Sequence, residues 1–251
     1  MKSVIIIPAR YASTRFPGKP LALLAGEPMI LHVVGKALKA SKDVYVATDD
    51  ERIFKTVETA GMRAIMTSAT HRSGTDRCYE ALTKICRETG ETFDVVVNIQ
   101  GDEPFVQPEQ INQLIDCFYD SEIQIATLAK QITSEDELWD VNKVKVVFSN
   151  KKEALYFSRA SIPYVRGMEK SEWLSKGVGH YKHLGMYAYR SSVLKEITAL
   201  PESSLEKAES LEQLRWLESG YRIAVRTTEH ESIGIDTPED LERANNFLKL
   251  S

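Results

Sequence analysis

The stretch from Ala9 to Lys19, A-R-Y-A-S-T-R-F-P-G-K, sets Arg10, Arg15 and Lys19 among small or rigid residues. Such residues leave backbone N–H groups free to face a ligand, and three cations over a ring of amides suit a polyanion. Neither stock phosphate loop is present. G-x-G-x-x-G is missing, and Gly18-Lys19 lacks both the earlier glycine and the following Ser/Thr of G-x-x-x-x-G-K-[ST]. A solvated basic loop would carry the same residues. Two carboxylates complement this loop. Asp102 lies in G-D-E-P, where Gly101 permits a close backbone approach, and Asp236 lies in I-D-T-P ahead of a helix start. Each also has a plain structural use, Asp102 as a turn residue and Asp236 as a negative charge at the positive end of a helix dipole.

These groups need elements to hold them. Ser3 to Ile7 is a β-branched run, the composition of a strand buried on both faces, which Pro8 is expected to stop. Helical spacing from Pro28 to Lys39 is followed by a strand over 43–48, a helix over 51–60 and a strand over 63–67. A helix from Asp76 and a strand over 93–99 complete the rhythm. This predicts an α/β fold with a mostly parallel, Rossmann-like sheet flanked by helices, binding its ligand beyond the carboxyl ends of the strands. The basic loop and Q-G-D-E-P both fall at that edge. From Val144 the pattern changes to a hairpin, V-K-V-V-F-S, a turn at 150–152, then A-L-Y-F. Ile111 to Tyr119, Ser191 to Ala199, Leu205 to Ser219 and Pro238 to Leu248 read as helices; Ile123 to Ala129, His183 to Tyr189 and Tyr221 to Thr228 read as strands. The segment 164–182 reads as a long irregular loop. One domain over 1–251, with a hairpin-bearing excursion at about 144–190, is the economical organisation. Tyr156, Phe157, Ile162 and Tyr164 on that excursion suggest a dimer contact.

With 251 residues, 43% hydrophobic and 27% charged, the chain can bury one substantial core. A formal net charge of -4 argues against a nucleic-acid coat or a membrane-surface binder, so anion binding must be local. No apolar run reaches membrane-spanning length and no signal-peptide core opens the sequence, so a cytoplasmic protein is expected. Cys78, Cys86 and Cys117 are odd in number with no C-x-x-C spacing, which favours free thiols over a disulfide or zinc site.

The loop P-A-R-Y-A-S-T-R-F-P-G-K-P at 8–20 resembles the signature of the 3-deoxy-manno-octulosonate cytidylyltransferases, the CMP-Kdo synthetase family. So do S-G-T-D-R at 73–77, N-I-Q-G-D-E-P at 98–104, A-L-Y-F-S-R-A-S-I-P at 154–163, K-H-L-G-M-Y-A-Y-R at 182–190, L-E-Q-L-R at 211–215 and D-T-P-E-D-L-E-R at 236–243. They occur in family order along the whole chain. The resemblance implies attack of the anomeric hydroxyl of Kdo on the α-phosphate of CTP, giving CMP-Kdo and pyrophosphate for lipopolysaccharide assembly. It implies Mg2+ as cofactor with Asp102 and Asp236 as its ligands, and a homodimer with no nucleic-acid or membrane partner. Arg10 and Lys19 match triphosphate ligands. Ala9, Ser13, Ser73, Thr75, Arg77 and Gln100 match positions facing CTP, although Ser73 or Thr75 would equally cap a helix. Gln100, Arg159, His183, Tyr187, Glu212 and Gln213 match the sugar acid, with Arg159 as carboxylate partner. Core packing is the plain alternative for Tyr187, and a satisfied buried ring for His183.

The chain departs from the family pattern at Phe16 and Tyr164, where Leu and Trp are frequent, and 165–181 matches least. The closest competing activity is the same transfer to 8-amino-Kdo or another keto sugar acid. A glycosyltransferase or a nonenzymatic nucleotide-binding regulator would also use acidic and basic residues, but the triphosphate-type loop argues against the first. The second requires that Asp102 or Asp236 be dispensable.

Overall fold

The computed structural model describes residues 1–12, 15–175, 177–231 and 234–250. In chain order the first half comprises β1 (Ser3–Ala9), β2 (Leu23–Leu24), β3 (Glu27–Pro28), α1 (Met29–Ala37), β4 (Val44–Thr48), α2 (Glu51–Thr59), β5 (Ala64–Met66), α3 (Gly74–Thr89), β6 (Val95–Asn98) and α4 (Pro108–Asp116). The second half comprises β7 (Ile125–Gln131), α5 (Glu135–Trp139), β8 (Lys145–Phe148), β9 (Ala154–Ser158), β10 (Tyr181–Arg190), α6 (Ser191–Thr198), α7 (Ser204–Glu209), α8 (Gln213–Glu218), β11 (Ile223–Thr227) and α9 (Pro238–Leu250).

Among the described residues the main sheet has nine strands, with the path β11-β7-β10-β6-β1-β4-β5 and the β8–β9 hairpin attached to β10. Along that path β10 runs against both its neighbours, and the remaining pairs are parallel. Alternation on a pleated strand sends successive residues to opposite faces, and β1 follows this rule. Ile5 and Ile7 join one core with Ile30 and Val33 of α1 and Leu114 of α4. Val4 and Ile6 join the other with Ala81 and Ile85 of α3 and Trp216 of α8. Both faces are thus covered, as the β-branched run required.

β1 continues through Pro8, which pairs in register with Ala47, and ends at Ala9. The expected stop at Pro8 fails because the ring's fixed φ is compatible with extended backbone. The helix expected over 205–219 is two helices, α7 and α8, broken at Ser210, whose φ of 52° is left-handed. A capping box at Ser203 and Glu206 starts α7. The short helix α5 was not foreseen. It belongs to a small satellite core in which Leu138 packs with Ile132 and the buried Trp173, so part of 164–182 is anchored rather than loose.

The hairpin is bound to its own chain. Lys182 of β10 pairs with Lys145 of β8, and Phe157 is fully buried with its ring 5.0 Å from that of His183. Of the four residues suggested as a dimer contact, Phe157 therefore serves the chain's own core, while Tyr164 remains 74% exposed. Cys78, Cys86 and Cys117 are free, with Cys78 and Cys117 buried.

Candidate active site

Parallel order puts the carboxyl ends of β1, β4, β5 and β6 at one edge, and a cleft of about 280 Å³ opens there. The cationic turn after β1 forms its floor. Gly18 N–H closes the turn on Tyr11 O at 2.9 Å. Gly18 has φ 73°, and a Cβ there would lie 2.9 Å from the Tyr11 ring, so glycine is required twice over. The Arg52 guanidinium stacks on Tyr11, 3.4 Å from the ring centre, and pairs with Asp50, the N-cap of α2. The loop is thereby fastened to α2.

Lys19 is the hub. Its ammonium donates to Asp102 and, at 3.0 Å, to Asp236, and its side chain is 12% exposed. Arg15 reaches Asp236 at 3.1 Å. Ile235 N–H donates to Asp102 O at 2.9 Å, so the segment before α9 is stitched to the turn after β6. Gly101 lets this turn sit against β1, because a Cβ there would lie 3.0 Å from Pro8 O. The first turn of α9 is capped reciprocally by Thr237 and Asp240, whose carboxylate accepts from the N–H groups of Asp236 and Thr237 at 3.0 and 2.9 Å. The Asp236 side chain is left to the cation cluster.

Ala9, Arg10, Ser73, Arg77 and Gln100 line the same cleft, as do Lys19, Asp102 and Asp236. Ser73 also caps α3, its hydroxyl accepting from Asp76 N–H at 3.1 Å. Thr75 is buried and donates to Glu212 at 2.7 Å, so its hydroxyl is committed to the protein. Arg77 is buried with donors on Thr67 at 2.6 Å and Asp49 at 3.2 Å, tying together the ends of β4 and β5. Ser13 lies outside the described residues. His71 and Arg72 line the cleft as well. Sequence reading began that motif at Ser73 and missed them, although an imidazole and a cation directly before a helix N-terminus were available as a signal.

The residues matched to the sugar acid lie away from that cleft, Gln100 excepted. Gln100 donates to Gly185 O at 3.0 Å, at the irregularity of β10 between Leu184 and Tyr187. His183 and Tyr187 are neighbours as expected, with ring centres 5.2 Å apart, but Tyr187 packs into the core against Trp216. Its hydroxyl is buried with no partner among the described residues. Arg159 has partners other than the expected carboxylate: its guanidinium donates to the carbonyls of Glu209, Val141 and Ser210 at 2.7, 3.2 and 3.4 Å. The Glu209 carboxylate in turn accepts from Ser158 and from Arg159 N–H. Glu209 was not singled out in the sequence. Gln213 is buried in α8, and Glu212 opens on a second hollow that shares Arg72 and Ser73 with the first. Burial raises the Glu212 carboxyl above its usual range, against the opposing hydrogen bonds of Thr75 and Ser73 and the charge of Arg215.

Burial pushes His183 down to about 3, so the folded protein holds this ring neutral through the physiological range. Above an unfolded value of 6.5 both states are neutral and stability is unaffected. Below it the unfolded chain takes up a proton that the folded chain refuses, and stability falls by up to about 1.4 kcal/mol per pH unit towards the folded value. Denaturant titrations at pH 7.5 and 5.5 are expected to show this loss in the wild type and a smaller one in His183→Gln. Equal losses would place the acid sensitivity elsewhere.

A cation cluster, two converging carboxylates and small-residue turns at the carboxyl edge of a parallel sheet are the chemistry that a polyphosphate ligand calls for. The chain belongs to the cytidylyltransferase family, whose profile matches residues 4–227. Within it, the chain is 58% identical to the 3-deoxy-manno-octulosonate cytidylyltransferase of Bacteroides thetaiotaomicron, over 99% of each. It is 46% identical to the 8-amino-3,8-dideoxy-manno-octulosonate cytidylyltransferase of Shewanella amazonensis, over 100% of each. Its fold superposes with a TM-score of 0.90 on a CMP:2-keto-3-deoxy-manno-octonic acid synthetase complexed with CTP, at 41% identity, covering 100% of this chain and 99% of that one.

Proposed function

We propose that this chain is a 3-deoxy-manno-octulosonate cytidylyltransferase, joining the anomeric hydroxyl of Kdo to the α-phosphate of CTP with release of pyrophosphate. The observation that carries the reading is the convergence of Lys19, Asp102 and Asp236 at one point of the cleft, together with 58% identity over 99% of the chain to a relative of that name. The 8-amino-sugar relative is more distant, at 46%.

Arg10, Arg15 and Lys19 draw the triphosphate into the cleft and balance its charge, which is most of what such a transfer asks of a protein. The turn holding Gln100 and Asp102 sets the α-phosphate against the acceptor side, where Gln100 faces both. The sugar hydroxyl oxygen forms the new bond to phosphorus and releases its proton to solvent as the bond from phosphorus to the oxygen bridging to the β-phosphate breaks and pyrophosphate leaves. Mg2+ belongs to this reading, and Asp102 and Asp236 would hold it. Two carboxylates on one cation, with no larger acidic or histidine cluster among the described residues, suit an ion that completes its octahedron with phosphate oxygens and water. When bound, it would neutralise charge on the phosphates.

A homodimer, with the exposed Tyr164 and Leu155 near its contact, also belongs to the proposal. So do a cytoplasmic setting, a single functional domain and a role in lipopolysaccharide assembly. Among the described residues no helix is long and apolar enough to cross a membrane. The test is pyrophosphate release from each of the four NTPs with Kdo, 8-amino-Kdo or sialic acid, with and without Mg2+. Turnover confined to CTP, Kdo and Mg2+ is expected. Preference for 8-amino-Kdo would reassign the acceptor, and turnover with another nucleotide would sink the donor assignment.

A further inference from the structure

His71 lines the nucleotide cleft without belonging to any motif used above. It reaches the cleft from the connection between β5 and α3, on the β5 side, whereas Lys19, Asp102 and Asp236 gather beyond β1 and β6 in the middle of the sheet. The His71 Nε2 is hydrogen-bonded to the carboxylate of Glu80 on α3. Glu80 is itself over-determined: Lys84 pairs with it at 2.7 Å and Ser68 N–H donates to it at 2.9 Å. Lys84 is anchored in turn on Met66 O at 2.7 Å. Burial alone would raise the Glu80 carboxyl, but Lys84, Ser68 N–H and His71 outweigh it and hold it down to about 2.

A carboxylate that is ionised can accept but not donate, so the proton of a neutral His71 ring must sit on Nε2. Nδ1 is then an acceptor. No described residue donates to it, and it is not among the buried polar atoms lacking a partner. An oriented imidazole with an open acceptor in a cleft otherwise rich in cations is suited to a ligand hydrogen-bond donor, and a triphosphate has none at neutral pH. The nucleoside half does.

We infer that His71, oriented by Glu80, is a specificity residue whose Nδ1 accepts a hydrogen bond from the nucleoside, either from the exocyclic amine of cytosine or from the ribose 2′-hydroxyl. Glu80 is the positioning residue: it fixes the tautomer and touches no ligand. This rests on the cytidylyltransferase reading for the identity of the nucleotide, but its test needs no sugar and no turnover.

Calorimetric binding of CTP, UTP and 2′-deoxy-CTP is measured for the wild type, His71→Ala, His71→Asn and Glu80→Ala. Asparagine keeps an acceptor close to the Nδ1 position; alanine does not. His71→Ala is expected to bind CTP about tenfold more weakly, the worth of one hydrogen bond. One preference should collapse with it. Loss of the CTP over UTP ratio identifies the amine, and loss of the CTP over 2′-deoxy-CTP ratio identifies the hydroxyl. His71→Asn should keep that ratio, and Glu80→Ala should lose part of it. In the free wild type at pH 8, two-bond 1H–15N spectra should show Nδ1 unprotonated. Equal weakening toward all three nucleotides, no weakening, or a protonated Nδ1 would each overturn the inference. If the wild type binds CTP but turns over no sugar, the proposed function fails while this inference is still decided by the ratios.

Discussion

Asp102→Asn is expected to lower kcat by about a thousandfold, roughly 4 kcal/mol of transition-state stabilisation, with little change in the melting temperature. The physical argument separates the two effects. The Asp102 side chain is 27% exposed and its hydrogen bond goes to Lys19 rather than to the backbone of its turn, so the fold does not depend on its charge. The chemistry does, since asparagine keeps the shape and loses the negative charge that a divalent cation needs. Asp236→Asn should behave alike because Thr237 and Asp240 continue to cap α9. The double variant should lose little more than either single one, as expected for groups that act together. Turnover of Asp102→Asn at the wild-type rate would remove the metal assignment.

Lys19→Ala is expected to reduce kcat/KM for CTP by a hundredfold or more, with arginine a poor substitute. The ammonium of Lys19 is a compact point charge at a site 12% exposed, and a guanidinium brings a planar fork that the space between two carboxylates does not match. A second consequence does not depend on turnover. Without Lys19, Asp102 and Asp236 face each other with Arg15 as the remaining cation on Asp236. Like charges held close raise each other's affinity for a counter-ion. Added Mg2+ should therefore raise the melting temperature of Lys19→Ala more than that of the wild type, through binding to the folded state. Equal shifts in the two proteins would mean that the carboxylates do not form a shared cation site.

Lys19 also shows how far sequence reading could go. Its place in R-F-P-G-K, after a β-branched strand, marked it as a cation at the ligand edge. That it bridges two carboxylates from the turn after β6 and the segment before α9 follows from how three remote segments pack. Arg159 shows what only packing adds. The family resemblance makes it the carboxylate partner of the sugar acid, and the break of the 205–219 helix at Ser210 supplies the carbonyls of Glu209 and Ser210 as further partners within the protein. Helical periodicity runs through this break without a signal, because a left-handed serine is not written in hydrophobic spacing.

The chain's own letters were enough for the α/β rhythm, the two-faced burial of β1, the hairpin after Val144 and the family, because each depends on local composition or on an ordered set of short motifs. Tertiary structure alone decided the pairing of β10 against β6 and β7, the burial of Phe157 in its own core, the anchoring of Trp173 and the Glu80 brace behind His71. Those features are contacts between segments distant in the chain, and their energies arise when side chains meet. A one-dimensional pattern shows which residues are able to meet, and packing selects which of them do.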